Sequence, residues 1–179
     1  MALTPARLVV VMGVAGCGKS TVGALLAGMI GADFLEGDDL HPPRNVERMA
    51  AGVPLTDDDR RDWLLALAQR LADARDAHRN LVVSCSALKR SYRDVLRSTA
   101  PTLAFVHLHA DAALLEARLR ARVDHFMPAS LLASQLQTLE APRSDERAIT
   151  FDATWPPATI AAQAATWLNR TAYTGTSTP

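Results

Sequence analysis

Near its start the chain runs through five apolar residues, "LVVVM" (8–12), into the octet "GVAGCGKS" (13–20), and an apolar-periodic stretch follows without a break. Apolar residues in unbroken succession mark a strand buried on both faces, which belongs in a parallel sheet covered by helices. Val22, Leu25, Leu26 and Met29 recur at helical spacing, so the octet bridges a buried strand and a helix. It fits G-x-x-x-x-G-K-[ST] at every position. Gly13, Gly16 and Gly18 let backbone N–H groups turn inward around an anion, and the helix N-terminus behind them adds positive potential. Lys19 can reach the terminal phosphates, Ser20 offers a hydroxyl to Mg2+, and Cys17 and Thr21 complete the loop. The octet reads as a nucleotide-binding loop, with ATP and Mg2+ as expected cofactors.

The remaining pattern alternates in the same way. Short strands are expected at 32–36, 80–88, 102–109 and 148–154. Helices are expected after each: a long one capped by Thr56 with Asp57–Asp59 in its first turn, one over 89–97, one capped by Asp111, one from Leu131, and a last one ending at Arg170. Strands alternating with helices predict an α/β fold in three layers, a mostly parallel five-stranded sheet flanked by helices. A small helical lid is expected over about 120–140, within one domain spanning 1–170, and a disordered polar tail over 171–179.

Bulk properties narrow the function by exclusion. With 19 basic and 19 acidic residues the net charge is zero, so no global field draws the chain to nucleic acid or to an anionic membrane. No run approaches the roughly 18 apolar residues of a membrane span. "MALTPARLVVVMGVAGC" loosely imitates a lipoprotein signal, but its Cys17 runs directly into Gly18–Thr21, so a cytoplasmic protein is expected. Two cysteines, Cys17 and Cys85, fit a reducing compartment. Cys17 lies beside a helix N-terminus and Lys19, both of which lower a thiol pKa; the competing reading is a small filler in the loop.

Each charged cluster follows a strand, where open α/β sheets bind ligands. Neither N-K-x-D nor D-x-x-G occurs, which argues against a G-protein switch, and "NLVVSC" lacks the acidic strand end of an ATPase module. A small kinase remains, with Asp38 after the second strand to orient Mg2+ or to accept the proton of an attacking hydroxyl. Arg44 and Arg48 share a helical face suited to an anionic substrate, and His41 can bond a hydroxyl. Lys89, Arg90 and Arg93 follow the third strand, and at least one is expected at the acceptor. Arg118 and Arg122, four apart, can face the same phosphates and favour transfer over mere binding. Residue types alone leave the acceptor open among a sugar acid, shikimate and a nucleoside monophosphate.

The longer motifs carry a resemblance. "GDDLHPPRNVERMAAGVPLTDDDRRDWL", "VVSCSALKRSYRDVLR" and "RLRARVDHFMPASLLASQLQTLEAP", together with the loop, resemble the bacterial-type gluconokinases, small P-loop kinases related to shikimate and nucleoside monophosphate kinases. The match runs from Arg7 to about Arg170. The resemblance implies transfer of the ATP γ-phosphate to the 6-hydroxyl of D-gluconate, and a homodimer. It places Lys19 and Ser20 at phosphate and metal, Asp38 near metal and acceptor, and His41, Arg44, Arg48, Lys89 and Arg93 around the sugar acid. Arg118 and Arg122 would belong to the lid, with His125 beside them. Met127 and Pro128 after "HF", and Asp39, depart from the family pattern.

Overall fold

A computed structural model describes residues 5–122 and 128–173 of the protein. Its strands are β1 (Leu8–Met12), β2 (Asp33–Glu36), β3 (Leu81–Ser84), β4 (Ala104–His109) and β5 (Ala148–Asp152). They form one sheet in the order β2-β3-β1-β4-β5, and every neighbouring pair is parallel. The helices are α1 (Lys19–Ile30), α2 (Pro43–Ala50), α3 (Asp57–Asp76), α4 (Arg90–Thr99), α5 (Ala112–Arg120), α6 (Leu132–Thr138) and α7 (Pro157–Tyr173). Single 3-10 turns cover Gly37–Leu40 and Ala129–Leu131. The three-layer α/β arrangement expected from the sequence is the one found.

Strand β1 is central and wholly buried, as its unbroken apolar run requires. The chain fills one side of β1 with β3 and β2, then the other with β4 and β5. The carboxyl end of β1 therefore opens at the reversal of strand order, where a crevice forms between diverging connections. The nucleotide-binding loop occupies that position.

Helix α3 begins as its sequence predicts. The Asp59 N–H donates to Thr56 Oγ1 (3.2 Å), and the Thr56 N–H donates to Asp59 Oδ2 (2.8 Å), a reciprocal capping box. Trp63, Leu64, Leu67 and Leu71 are all buried along its inner face. Side chains of this kind contribute roughly 1.5–3 kcal/mol each when fully buried.

Three local expectations change. In α1 the buried face is Val22, Gly23, Leu26 and Ala27, whereas Leu25 and Met29 are exposed. Gly23 makes this possible, because a Cβ there would come within 2.7 Å of the Phe34 ring. Asp111 stands at the N-cap of α5, but its side chain makes no capping hydrogen bond. Helix α7 runs to Tyr173, past the expected end at Arg170, and the Thr171 hydroxyl bonds the Trp167 carbonyl inside it.

Candidate active site

The loop between β1 and α1 is shaped by glycines with positive φ. At Gly13 (φ 143°) a Cβ would lie 2.6 Å from the Leu108 carbonyl oxygen and 2.7 Å from Cys17 Sγ, so only glycine fits between β4 and the loop's own interior. Gly18 (φ 99°) turns the chain into α1. Lys19 folds back so that Nζ donates to the Val14 carbonyl at 3.1 Å, which holds its charge over the loop. Ser20 and Thr21 are exposed in the first turn of α1. Cys17 is 2% exposed and packs behind Gly13, which supports the filler reading over the reactive one. The Cys85 thiol, also buried, is pushed up to about 12 by burial.

The loop is tied to two other segments. The Gly13 N–H donates to the Ser86 carbonyl after β3 (3.3 Å), and the Ala15 N–H donates to Gln135 Oε1 of α6 (2.7 Å). The second bond joins the phosphate loop to α6, which lies within the segment 120–140 where the lid is expected.

Asp38 reaches the cleft because Gly37 passes tightly over β3. A Cβ at Gly37 would sit 2.0 Å from the Ser84 carbonyl oxygen. The Gly37 N–H donates to Ser84 Oγ (3.2 Å), and Gly37 accepts from Trp63 Nε1 (2.7 Å). These contacts pin the turn that carries Asp38 to the buried end of α3. His41 stacks on Trp63 with ring centroids 4.1 Å apart and planes 14° from parallel. Burial, then the nearby Arg60 charge, lowers the His41 pKa to about 4, so the ring is neutral near pH 7 and can bond a hydroxyl. Lys19, Ser20, Asp38, His41, Arg60 and Arg122 line one cleft.

A second depression lies across the loop, lined by Cys17, Thr21, Arg118, Arg122, Trp155 and Pro157 among others. Arg118 is oriented by a bond from Nη2 to the Ala153 carbonyl (2.8 Å), just after β5. Arg122 lines both depressions, so the two meet at the loop. Arg118 in the last turn of α5 and Arg122 just beyond its end both line the second depression.

Four cations expected at the acceptor stand elsewhere. Arg44 pairs with Asp62 (2.8 Å) and Arg48 with Asp59 (3.5 Å), both directed at α3. Lys89 contacts Asp57 at 2.9 Å. Arg93 is fully buried: Nε and Nη2 bond the two oxygens of Glu146 (2.7 and 2.9 Å), and Nη1 bonds the carbonyls of Ala87, Leu88 and Glu140. Its donors are spent on the segment after β3 and on residues 140–146. None of these four lines the cleft around Asp38. His125 lies outside the described residues. Conversely, Arg60, Trp63 and Gln135 line the cleft without having been singled out. In the sequence Arg60 is one charge among six in "DDDRRD", and only its helical phase with Trp63, Leu64 and Leu67 marks it as inward-facing.

A phosphate loop at the carboxyl end of a parallel sheet, flanked by one depression on each side and by an arginine, Arg122, that reaches both, defines a P-loop kinase. Comparison with known proteins narrows the class. A family model described as an AAA domain matches residues 8–142. Gluconokinase of Gluconobacter oxydans is 52% identical over 149 residues, covering 83% of each chain. Thermoresistant gluconokinase of Escherichia coli is 45% identical, covering 78% of this chain and 80% of that one. The crystal structure of a gluconokinase from Sinorhizobium meliloti superposes with a TM-score of 0.86 at 49% identity, covering 98% of this chain and all of that one. The chain belongs to the gluconokinase family.

Proposed function

We propose that this protein transfers the γ-phosphate of ATP to the 6-hydroxyl of D-gluconate, giving 6-phospho-D-gluconate and ADP. The observation that carries the proposal is the convergence of Lys19, Asp38, His41 and Arg122 on one cleft at the phosphate loop, in a chain closely similar to gluconokinases over most of its length. Backbone N–H groups of the loop and the α1 N-terminus hold the phosphates, and Lys19 and Arg122 offset the charge that builds up on the transferred group. Arg118 clamps the nucleotide from the second depression. Asp38 accepts the proton of the attacking hydroxyl, and neutral His41 bonds a neighbouring hydroxyl of the sugar acid.

The Ser20 hydroxyl and the Asp38 carboxylate line the same cleft and are the hard oxygen donors that Mg2+ prefers. Among the described residues no cluster of three or more ligating side chains occurs, which suits an ion held chiefly by phosphates and water. When bound, Mg2+ would neutralise phosphate charge. The buried, unpaired Cys17 and Cys85 support a cytoplasmic location, and the family resemblance supports a homodimer, which sedimentation can test.

The test is ADP release with Mg2+-ATP against D-gluconate, shikimate and nucleoside monophosphates, with Lys19→Ala as control. Turnover with gluconate, lost in Lys19→Ala, is expected. Turnover with another acceptor alone would overturn the acceptor assignment, and no transfer to any of them would overturn the kinase reading.

A further inference from the structure

Four cations near the acceptor side are already answered within the chain: Arg44 by Asp62, Arg48 by Asp59, Lys89 by Asp57 and Arg93 by Glu146. Arg60 is not. It is 9% exposed, it lines the cleft with Lys19, Asp38 and His41, and among the described residues it forms no ion pair. One edge of its guanidinium is anchored: Nη1 donates to the Leu55 carbonyl at 2.6 Å and to the Tyr92 hydroxyl at 3.4 Å. That hydroxyl bonds Asp57, whose carboxylate also takes both bonds from Lys89. The charge of Asp57 is therefore one side chain removed from Arg60 and already engaged.

A guanidinium withdrawn from water without a carboxylate is unfavourable until an anion meets it, and its planar fork matches a carboxylate in two parallel bonds. We propose that Arg60 binds the carboxylate of the acceptor and so selects a sugar acid over a neutral polyol. An acceptor held there runs its hydroxyls past His41 and presents its far end to Asp38 and the phosphate loop. This fits transfer to the hydroxyl most distant from the carboxylate. The inference rests on the gluconate reading above and adds the residue that enforces it.

The test compares D-gluconate with D-glucitol, which keeps the row of hydroxyls and replaces the carboxylate by a neutral CH2OH group. Wild-type protein should strongly prefer gluconate. Arg60→Met, similar in length and uncharged, should raise the gluconate KM by about 100-fold, leave the ATP KM within about twofold, and bring the two acceptors close to parity. Arg60→Lys keeps the charge and can still reach the Leu55 carbonyl but loses the fork. It should raise the gluconate KM by about tenfold with little change in thermal midpoint, and it covers the case in which Arg60→Met fails to fold. Wild-type turnover of gluconate, with the preference intact in a folded variant, would overturn the inference alone. So would equal losses for both acceptors, since a purely structural role would weaken both. Wild-type protein inert toward gluconate would overturn the functional reading and this inference together.

Discussion

Replacing Arg93 by methionine separates structural from acceptor-binding roles for a residue that sequence alone places near the substrate. The side chain is 0% exposed and divides its donors between Glu146 and three backbone carbonyls. Removing one member of a buried ion pair costs roughly 3–5 kcal/mol, because the remaining charge stays buried. Here Glu146 would keep two partners, Arg97 Nη1 at 2.7 Å and the Arg143 N–H at 3.1 Å, which favours the lower end of that range. Against that, the carbonyls of Ala87, Leu88 and Glu140 lose their shared donor, at about 1 kcal/mol or more. A net loss near 4 kcal/mol follows, or roughly 8–16 °C in thermal midpoint for a domain of this size. Urea unfolding gives the stability change, and steady-state kinetics below the shifted midpoint give the gluconate KM. The KM should stay within about twofold while stability falls. A loss under about 1 kcal/mol together with a gluconate KM raised tenfold would refute the structural assignment and restore Arg93 to the acceptor site.

Two further perturbations probe other parts of the frame. Gly37→Ala would drive a Cβ to within 2.0 Å of the Ser84 carbonyl, shift the turn that carries Asp38, and lower kcat/KM by about 100-fold, a loss that steady-state assays of folded protein would reveal. His107 is 3% exposed, its Nε2 has no partner among the described residues, and burial, then His109 and Arg93, lowers its pKa to about 4. Because the folded-state value lies below the unfolded one of 6.5, its share of stability is complete above pH 6.5 and declines as pH falls toward 4. Each such histidine adds at most about 1.4 kcal/mol per pH unit to that slope, so His107→Leu should flatten urea midpoints measured across this window. An unchanged slope would refute the assignment.

The frame was legible because local rules carried it. An unbroken apolar run, a glycine octet and a capping residue each act within a few positions, so β1, the phosphate loop and the start of α3 stand where their residues predict. The acceptor side was harder, because a cation's role depends on which carboxylate the fold brings opposite it. Arg44 meets Asp62 from the neighbouring helix, and Arg93 meets Glu146 across more than fifty residues. Neither pairing has a local signature. Arg60 shows the reverse case: it sits in an acidic run that looks solvated, yet its phase on α3 turns it inward beside Tyr92. Likewise the apolar spacing of α1 does not reveal that Leu25 and Met29 face outward, which depends on Gly23 admitting the Phe34 ring.

Proton-coupled phosphorus NMR of a reaction containing the protein, Mg2+-ATP and D-gluconate follows the transferred group itself. The γ-phosphate signal should decay as a phosphomonoester signal grows, split into a triplet by the two protons of the terminal carbon. A doublet would place the phosphate on a secondary hydroxyl and contradict the proposed orientation of the acceptor. Growth of inorganic phosphate alone would contradict transfer altogether.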